Sequence, residues 1–327
     1  MSQPLLDIQN LSVRFRVYGG YLRVLDGVNF QVAPQERVGL VGETGCGKTT
    51  TMKTIMRILP QPPGVIKGGK IIFKGKDVLG MESWEVERMR RREVAMIFQD
   101  PTAALNPVFT IGEQLFDAIR YATGKEESDH RFLREVAIRA LEEVALPDPA
   151  RILTNYPIQL SGGMRQRVCI ALALACPKEL LIADEPGTSL DVTIQDQILR
   201  LINRLAEERK MAVILISHSL GVIRDWTERV WVMYAGTVVE EARTQELFAQ
   251  PLHPYTQALL KCVPKLTGEG IAEGIPGRIP DYFDPPSGCR FHPRCPYRMA
   301  ICSQEKPRLY GTPTHHVACF LYQEERK

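Results

Sequence analysis

Apolar and polar residues alternate along the first thirty positions in the manner of strands. Leu6-Asp7-Ile8 and Val13-Arg14-Phe15-Arg16-Val17 place their apolar members two apart. Gly19-Gly20 offers a turn, and Val24 to Val32 resumes the alternation. Arg37 to Val41 is a short apolar strand entering a glycine-rich loop, Thr49 to Leu59 reads as a helix, and Gly68 to Val78 as a hairpin. From about Pro107 to Pro157 the period changes. Glu113 to Tyr121 and Arg131 to Val144 space their apolar residues for helices, which predicts a mostly helical insertion. Leu180 to Ala183 predicts a strand, Thr193 to Glu208 a helix, and Ala212 to Ser217, Val230 to Met233 and Thr237 to Val239 further strands. Strands alternating with helices around a glycine-rich loop predict an α/β fold with a mostly parallel core sheet. Past Phe248 the pattern fades. Thr267 to Ser287, rich in Gly and Pro, reads as a linker over the surface, and a cysteine-rich tail follows.

The loop after Val41 carries the first chemistry. Gly42-Glu43-Thr44-Gly45-Cys46-Gly47-Lys48-Thr49, followed by Thr50, fits G-x-x-x-x-G-K-[ST] between a strand and a helix. Its glycines let backbone N–H groups turn toward phosphates, and the helix start adds a positive dipole end. Lys48 is expected to reach the β- and γ-phosphates of ATP, and the Thr49 hydroxyl to ligate Mg²⁺. The apolar run Leu180 to Ala183 ends in Asp184-Glu185. Asp184 is expected to hold Mg²⁺ and Glu185 to orient and polarise the attacking water. Leu160-Ser161-Gly162-Gly163-Met164-Arg165-Gln166-Arg167 precedes a helix, where Ser161, Gly162 and Gly163 make a second anion site.

Loop, acidic strand and this run together resemble the ABC ATPases, whose signature in one subunit closes over the γ-phosphate held by another. Three smaller motifs fit the resemblance. Gln99, in Ile97-Phe98-Gln99-Asp100-Pro101, resembles the glutamine that senses Mg²⁺ and water and couples to the transporter. Ser189-Leu190-Asp191 resembles the segment lining the dimer interface, and His218 the histidine that contacts the γ-phosphate. Two positions depart from the family pattern: Ser219 stands where Asp is common and Gly187 where Thr is usual. The family stacks adenine on an aromatic of its first strand. Phe15 matches best by distance from the loop, with Tyr18 and Tyr21 as competitors. The implied architecture is an ATPase domain over 1–248, with an antiparallel β subdomain and a helical subdomain at about 107–175, and an irregular extension over 249–327.

The eight cysteines change the picture at the C-terminal end. Cys289, Cys295, Cys302 and Cys319 crowd there with five, six and sixteen residues between them. In a reducing compartment four thiolates suggest one four-coordinate site, either iron–sulfur or zinc, and the spacing does not choose. Leu252-His253-Pro254-Tyr255-Thr256, Ser287-Gly288-Cys289 and Phe291-His292-Pro293-Arg294-Cys295-Pro296 resemble the C-terminal extension of dipeptide and oligopeptide permease ATPases, as do Met164 and Met233-Tyr234-Ala235-Gly236. That resemblance implies a [4Fe-4S] cluster on the four cysteines, with Zn²⁺ as the alternative. It also implies a second, non-identical ATPase, two transmembrane permease subunits and an extracytoplasmic binding protein. Other solutes, sugars or nickel among them, are served by similar ATPases, and a soluble ABC ATPase outside transport is a further alternative.

Composition excludes other classes. A net charge of +3 with 24% charged residues gives no reason to expect nucleic acid as a partner. No run approaches the ~18 apolar residues of a membrane span, and Met1 to Pro4 lacks the basic-then-apolar pattern of a secretory signal. The expected place is the cytoplasmic face of the plasma (inner) membrane, held there by partners.

Overall fold

The computed structural model describes residues 3–124, 129–188, 190–262 and 274–323. In chain order its strands are β1 (Leu6–Val17), β2 (Gly20–Val32), β3 (Arg37–Val41), β4 (Gly64–Phe73), β5 (Lys76–Asp77) and β6 (Val94–Ile97), then β7 (Leu180–Asp184), β8 (Ala212–Ile216), β9 (Arg229–Tyr234), β10 (Thr237–Arg243), β11 (Tyr310–Thr312) and β12 (His315–Val317). The helices are α1 (Lys48–Ile55), α2 (Ser83–Arg92), α3 (Pro101–Ala104), α4 (Ile111–Thr123), α5 (His130–Glu143) and α6 (Pro149–Ile152), then α7 (Gly162–Leu174), α8 (Val192–Glu208), α9 (Leu220–Trp226), α10 (Thr244–Ala249) and α11 (Pro254–Lys261).

One unit gathers the chain up to residue 33 with 37–81 and everything from 216 onward. In β1 the buried apolar positions run Leu6, Ile8, then Leu11 and Val13. This one-residue slip of the alternation is absorbed by a bulge, where Asn10 takes φ 50° and the register with β2 shifts between Ile8 and Leu11. All four side chains therefore stay buried. The antiparallel sheet β2-β1-β4-β5 is the predicted antiparallel subdomain. Beside it, β3 runs parallel to β9, and β9 pairs antiparallel with β10. The cysteine-rich tail extends this sheet: β12 pairs with β10, matching Glu240 to Val317, and β11 pairs with β12. Fully buried Glu240 knits these pieces. It accepts from the Leu252 and His253 backbone N–H groups at 2.7 and 2.9 Å and meets His315 Nε2 at 2.7 Å.

The other unit spans 34–36 and 82–215. Strands β6 and β7 are parallel and buried along their whole length, as is β8, the reading of strands covered on both faces. Helices α4 and α5 present Ile111, Leu115, Ile119 and Leu133, Ala137, Leu141 to a helical core. Helix α4 opens with a capping box of Thr110 and Glu113, and Gly124 closes it in the left-handed conformation. The predicted insertion is therefore helical, with α4 to α6 inside its bounds.

Candidate active site

In the first unit the phosphate loop joins β3 to α1. Gly42 is obligatory: a Cβ there would lie 2.1 Å from the Met233 carbonyl oxygen and 2.8 Å from Cys46 Sγ. Gly47, at φ 107°, caps α1 in a left-handed conformation, and Leu25 Cδ2 fills the space its side chain would need. The Lys48 ammonium is buried and donates to the carbonyls of Gly42 at 2.8 Å and Glu43 at 3.2 Å. It is a positive charge held inside the curl of the loop. Thr44 and Gly45 are exposed, while Thr49 and Thr50 are half-buried on the first turn of α1. Burial pushes the Cys46 thiol up, against the lowering effect of Lys48. It is a packed neutral group.

His218 follows β8 and is exposed at the start of α9. The departure at Ser219 has a local account: its N–H bonds Ser217 Oγ at 3.0 Å, closing the turn without an acidic cap. Phe15 lies half-buried in β1 between Leu22 and Gly64. Lys67 covers the Tyr21 ring at 5.7 Å, and Tyr18 sits fully exposed in the β1–β2 turn.

In the second unit Asp184 ends β7 and Glu185 follows it, and both are buried. Glu185 adopts φ 50°, an uncommon conformation for a non-glycine residue. Gln99 Nε2 donates to its Oε2 at 2.8 Å, and Thr188 Oγ1 lies 3.5 Å from the same oxygen. The two residues named from separate motifs are thus brought into one hydrogen-bonded pair. Ser161 Oγ accepts from Met164 N at 3.3 Å and caps α7. Gly162 and Gly163 are small because Leu190 and the first turn of α8 come close: a Cβ would meet Leu190 at 3.0 Å and Ile194 at 2.9 Å. Asp191 caps α8 through Ile194 N at 3.0 Å. Ser189 lies outside the described residues.

The four C-terminal cysteines line a single cavity of about 10 Å³, walled by Phe291, Phe320 and His253. Cys289 N also donates to the Cys302 carbonyl at 2.9 Å. Burial, then the neighbouring sulfurs, push the Cys289 and Cys319 thiols up to about 11. Among the described residues no group of three or more His, Cys, Asp or Glu is arranged to hold a metal ion. The expected ligand set therefore converges without forming a ligand cage. The cavity has room for about one water-sized species, less than a four-iron cluster occupies. The donor chemistry fits a four-thiolate group; the spacing would have to open to accept a cluster.

Sequence reasoning missed three groups that touch the phosphate loop. Arg294 pairs with the Glu43 carboxylate at 2.8 and 3.2 Å, Tyr255 Oη accepts from Glu43 N at 2.8 Å, and Tyr282 Oη donates to the Gly45 carbonyl at 2.8 Å. Tyr255 and Arg294 stand inside runs singled out for resemblance alone, and nothing local in them signals the contact.

Two stretches of the chain match family models. Residues 25–188 match the family model described as ABC transporter, and residues 239–302 the one described as oligopeptide/dipeptide transporter, C-terminal region. The chain is 44% identical to the probable peptide ABC transporter ATP-binding protein y4tR of Sinorhizobium fredii, over 98% of this chain and 96% of that protein. It is 43% identical to the dipeptide transport ATP-binding protein DppD of Bacillus subtilis, over 99% and 96%. Among solved structures, the dimeric post-hydrolysis state of the ATP-binding cassette MJ0796 bound to ADP and Pi superposes with a TM-score of 0.64. Identity there is 26%, and the match covers 73% of this chain and 98% of that one.

Proposed function

Because this chain belongs to the ABC transporter ATPases, we propose that it is the ATP-hydrolysing subunit of an importer for dipeptides or oligopeptides. The observation that carries the solute class is the C-terminal match at 239–302, joined to near full-length likeness to ATPases named for peptide transport. The family domain is assigned to 1–248 and the transporter-type extension to 249–327.

The residues divide the work as follows. Gly42 to Thr50 hold the phosphates of ATP, with Lys48 supplying charge to the β- and γ-phosphates. Thr49, Gln99 and Asp184 supply the oxygen donors that Mg²⁺ favours. Glu185 takes the proton from the attacking water, and Gln99, already bonded to it, holds the carboxylate in place. His218 contacts the γ-phosphate. Phe15 stacks on adenine, with Tyr18 and Tyr21 as the competing aromatics. Ser161, Gly162, Gly163 and Asp191 serve the loop of a second ATPase, a non-identical homologue, while that partner's signature serves this loop. The dimeric relative bound to ADP and Pi supports a paired arrangement.

Among the described residues no helix is long and apolar enough to cross a membrane. In this reading the chain works on the cytoplasmic face through two permease subunits, with a binding protein delivering solute. Val108 and Ile158 are 71% and 82% exposed, and Phe98, Phe109 and Tyr156 are exposed as well. The two stretches are tied by Ile111 N to Asn155 O at 2.9 Å and Gly112 N to Leu153 O at 2.8 Å. These apolar residues, Phe98 beside Gln99 and the others inside the helical region, suit the permease contact. Cys289, Cys295, Cys302 and Cys319 would hold a [4Fe-4S] cluster, or Zn²⁺, as a crosslink for a tail of short elements.

Turnover measured alone and in the assembled transporter tests the composite site. The isolated chain should hydrolyse ATP weakly and the complex strongly. Full turnover by a dilute monomer would overturn it.

A further inference from the structure

We infer that the C-terminal segment sets the nucleotide affinity of the phosphate loop, with Arg294 as its principal positioning residue. The inference rests on the phosphate-loop reading above and goes beyond it, because nothing in that reading assigns a role to residues past β10.

The Arg294 guanidinium meets the Glu43 carboxylate through two parallel bonds, Nη1 to Oε2 at 2.8 Å and Nη2 to Oε1 at 3.2 Å. Bidentate pairs of this kind fix geometry as well as charge. The Arg294 side chain is 4% exposed and that of Glu43 24%, so water screens the pair little. The guanidinium is itself pinned. Nε donates to Pro276 O at 2.9 Å, Nη2 to Ile275 O at 3.0 Å, and Nη1 lies 3.3 Å from Tyr234 Oη. Two further groups of the same segment grip the loop backbone: Tyr255 Oη takes the Glu43 N–H, and Tyr282 Oη bonds Gly45 O, each at 2.8 Å.

A glycine-rich loop loses much conformational freedom when phosphates order it. Bracing Glu43 and Gly45 beforehand removes part of that cost. Arg294 also neutralises a carboxylate within the loop, where an uncompensated negative charge would repel a polyphosphate. Both effects act in one direction. Loss of Arg294 should weaken nucleotide binding, and the charge part of the loss should vanish when Glu43 is made neutral.

The test is a double-mutant cycle on ATP affinity of the full chain, with melting temperature as a control on folding. Wild type should bind and Lys48→Ala should not; a wild type that fails to bind sinks the phosphate-loop reading rather than this one. Arg294→Met should weaken ATP about tenfold, yet less than about twofold in the Glu43→Gln background. In the assembled transporter the same variant should raise KM for ATP while kcat stays within about twofold. Unchanged affinity, or the same tenfold loss in both backgrounds, would overturn the inference. Should Arg294→Met not fold, Tyr282→Phe removes one hydroxyl bond only. It is expected to weaken ATP about threefold, and no change would overturn the brace.

Discussion

The Gln99 carboxamide donates to the Glu185 carboxylate over 2.8 Å, linking the loop after β6 to the residue that follows β7. The bond survives if the acid becomes an amide, because a glutamine carbonyl still accepts. Glu185→Gln should therefore keep ATP binding and the local geometry while lowering hydrolysis by roughly 10²–10⁴ fold, the share of a general base. Single-turnover hydrolysis in the assembled transporter, beside an ATP-binding isotherm, measures both. Undiminished turnover would remove Glu185 from proton transfer.

Gly42 has its reason in packing. Gly42→Ala pushes a methyl group into the Met233 carbonyl oxygen, 2.1 Å from the ideal Cβ, at φ 149°. The expected cost is on the order of 3 kcal/mol of stability, with loss of ATP binding. Urea unfolding and nucleotide titration of the variant check it. Gly45→Ala is the contrast: no atom lies within 4 Å of its Cβ position, and only the strain of φ 81° is felt.

Much of this was legible in the sequence. β3, the phosphate loop and β7 are local patterns, and Arg37 to Val41 was predicted with the bounds observed. Helix α2 was missed because Ser83 to Arg92 is mostly charged and buries only Val86 and Met89. Strands β11 and β12 are three residues each, too short for any period to register. The Arg294–Glu43 pair joins positions 251 apart, and no local pattern reports such a pairing. The cysteine spacing was visible, but the closeness of the thiols in one cavity required the fold.

Acid should weaken the protein through His253. This ring is buried, and burial lowers its pKa to about 4, against the raising effect of Glu240. Its Nδ1 accepts from Tyr255 N at 3.0 Å, which needs the neutral form. The folded pKa lies below the unfolded value near 6.5, so the unfolded chain binds more protons between the two. Stability should hold above about pH 6.5, fall toward pH 4, and lose on the order of 3 kcal/mol there from this group. His253→Asn keeps an acceptor for Tyr255 N and should flatten this part of the profile. Urea midpoints across pH, wild type against variant, read the difference.

The cysteine cavity carries a chemical prediction. Anaerobic purification should yield iron and acid-labile sulfide near four each per chain if the proposed cluster is held. Cys302→Ser should release the metal. Zinc without sulfide would replace the cluster with a single four-thiolate ion, and neither metal would leave a packed thiol core.

The central claim, an ATPase that energises peptide import, is tested most directly by transport. Vesicles holding the permease subunits, both ATPases and the binding protein should accumulate a labelled dipeptide or oligopeptide only with ATP and Mg²⁺. Lys48→Ala in this chain should abolish that uptake. Peptide accumulation that persists with Lys48→Ala, or ATP hydrolysis that moves no peptide, would contradict the account.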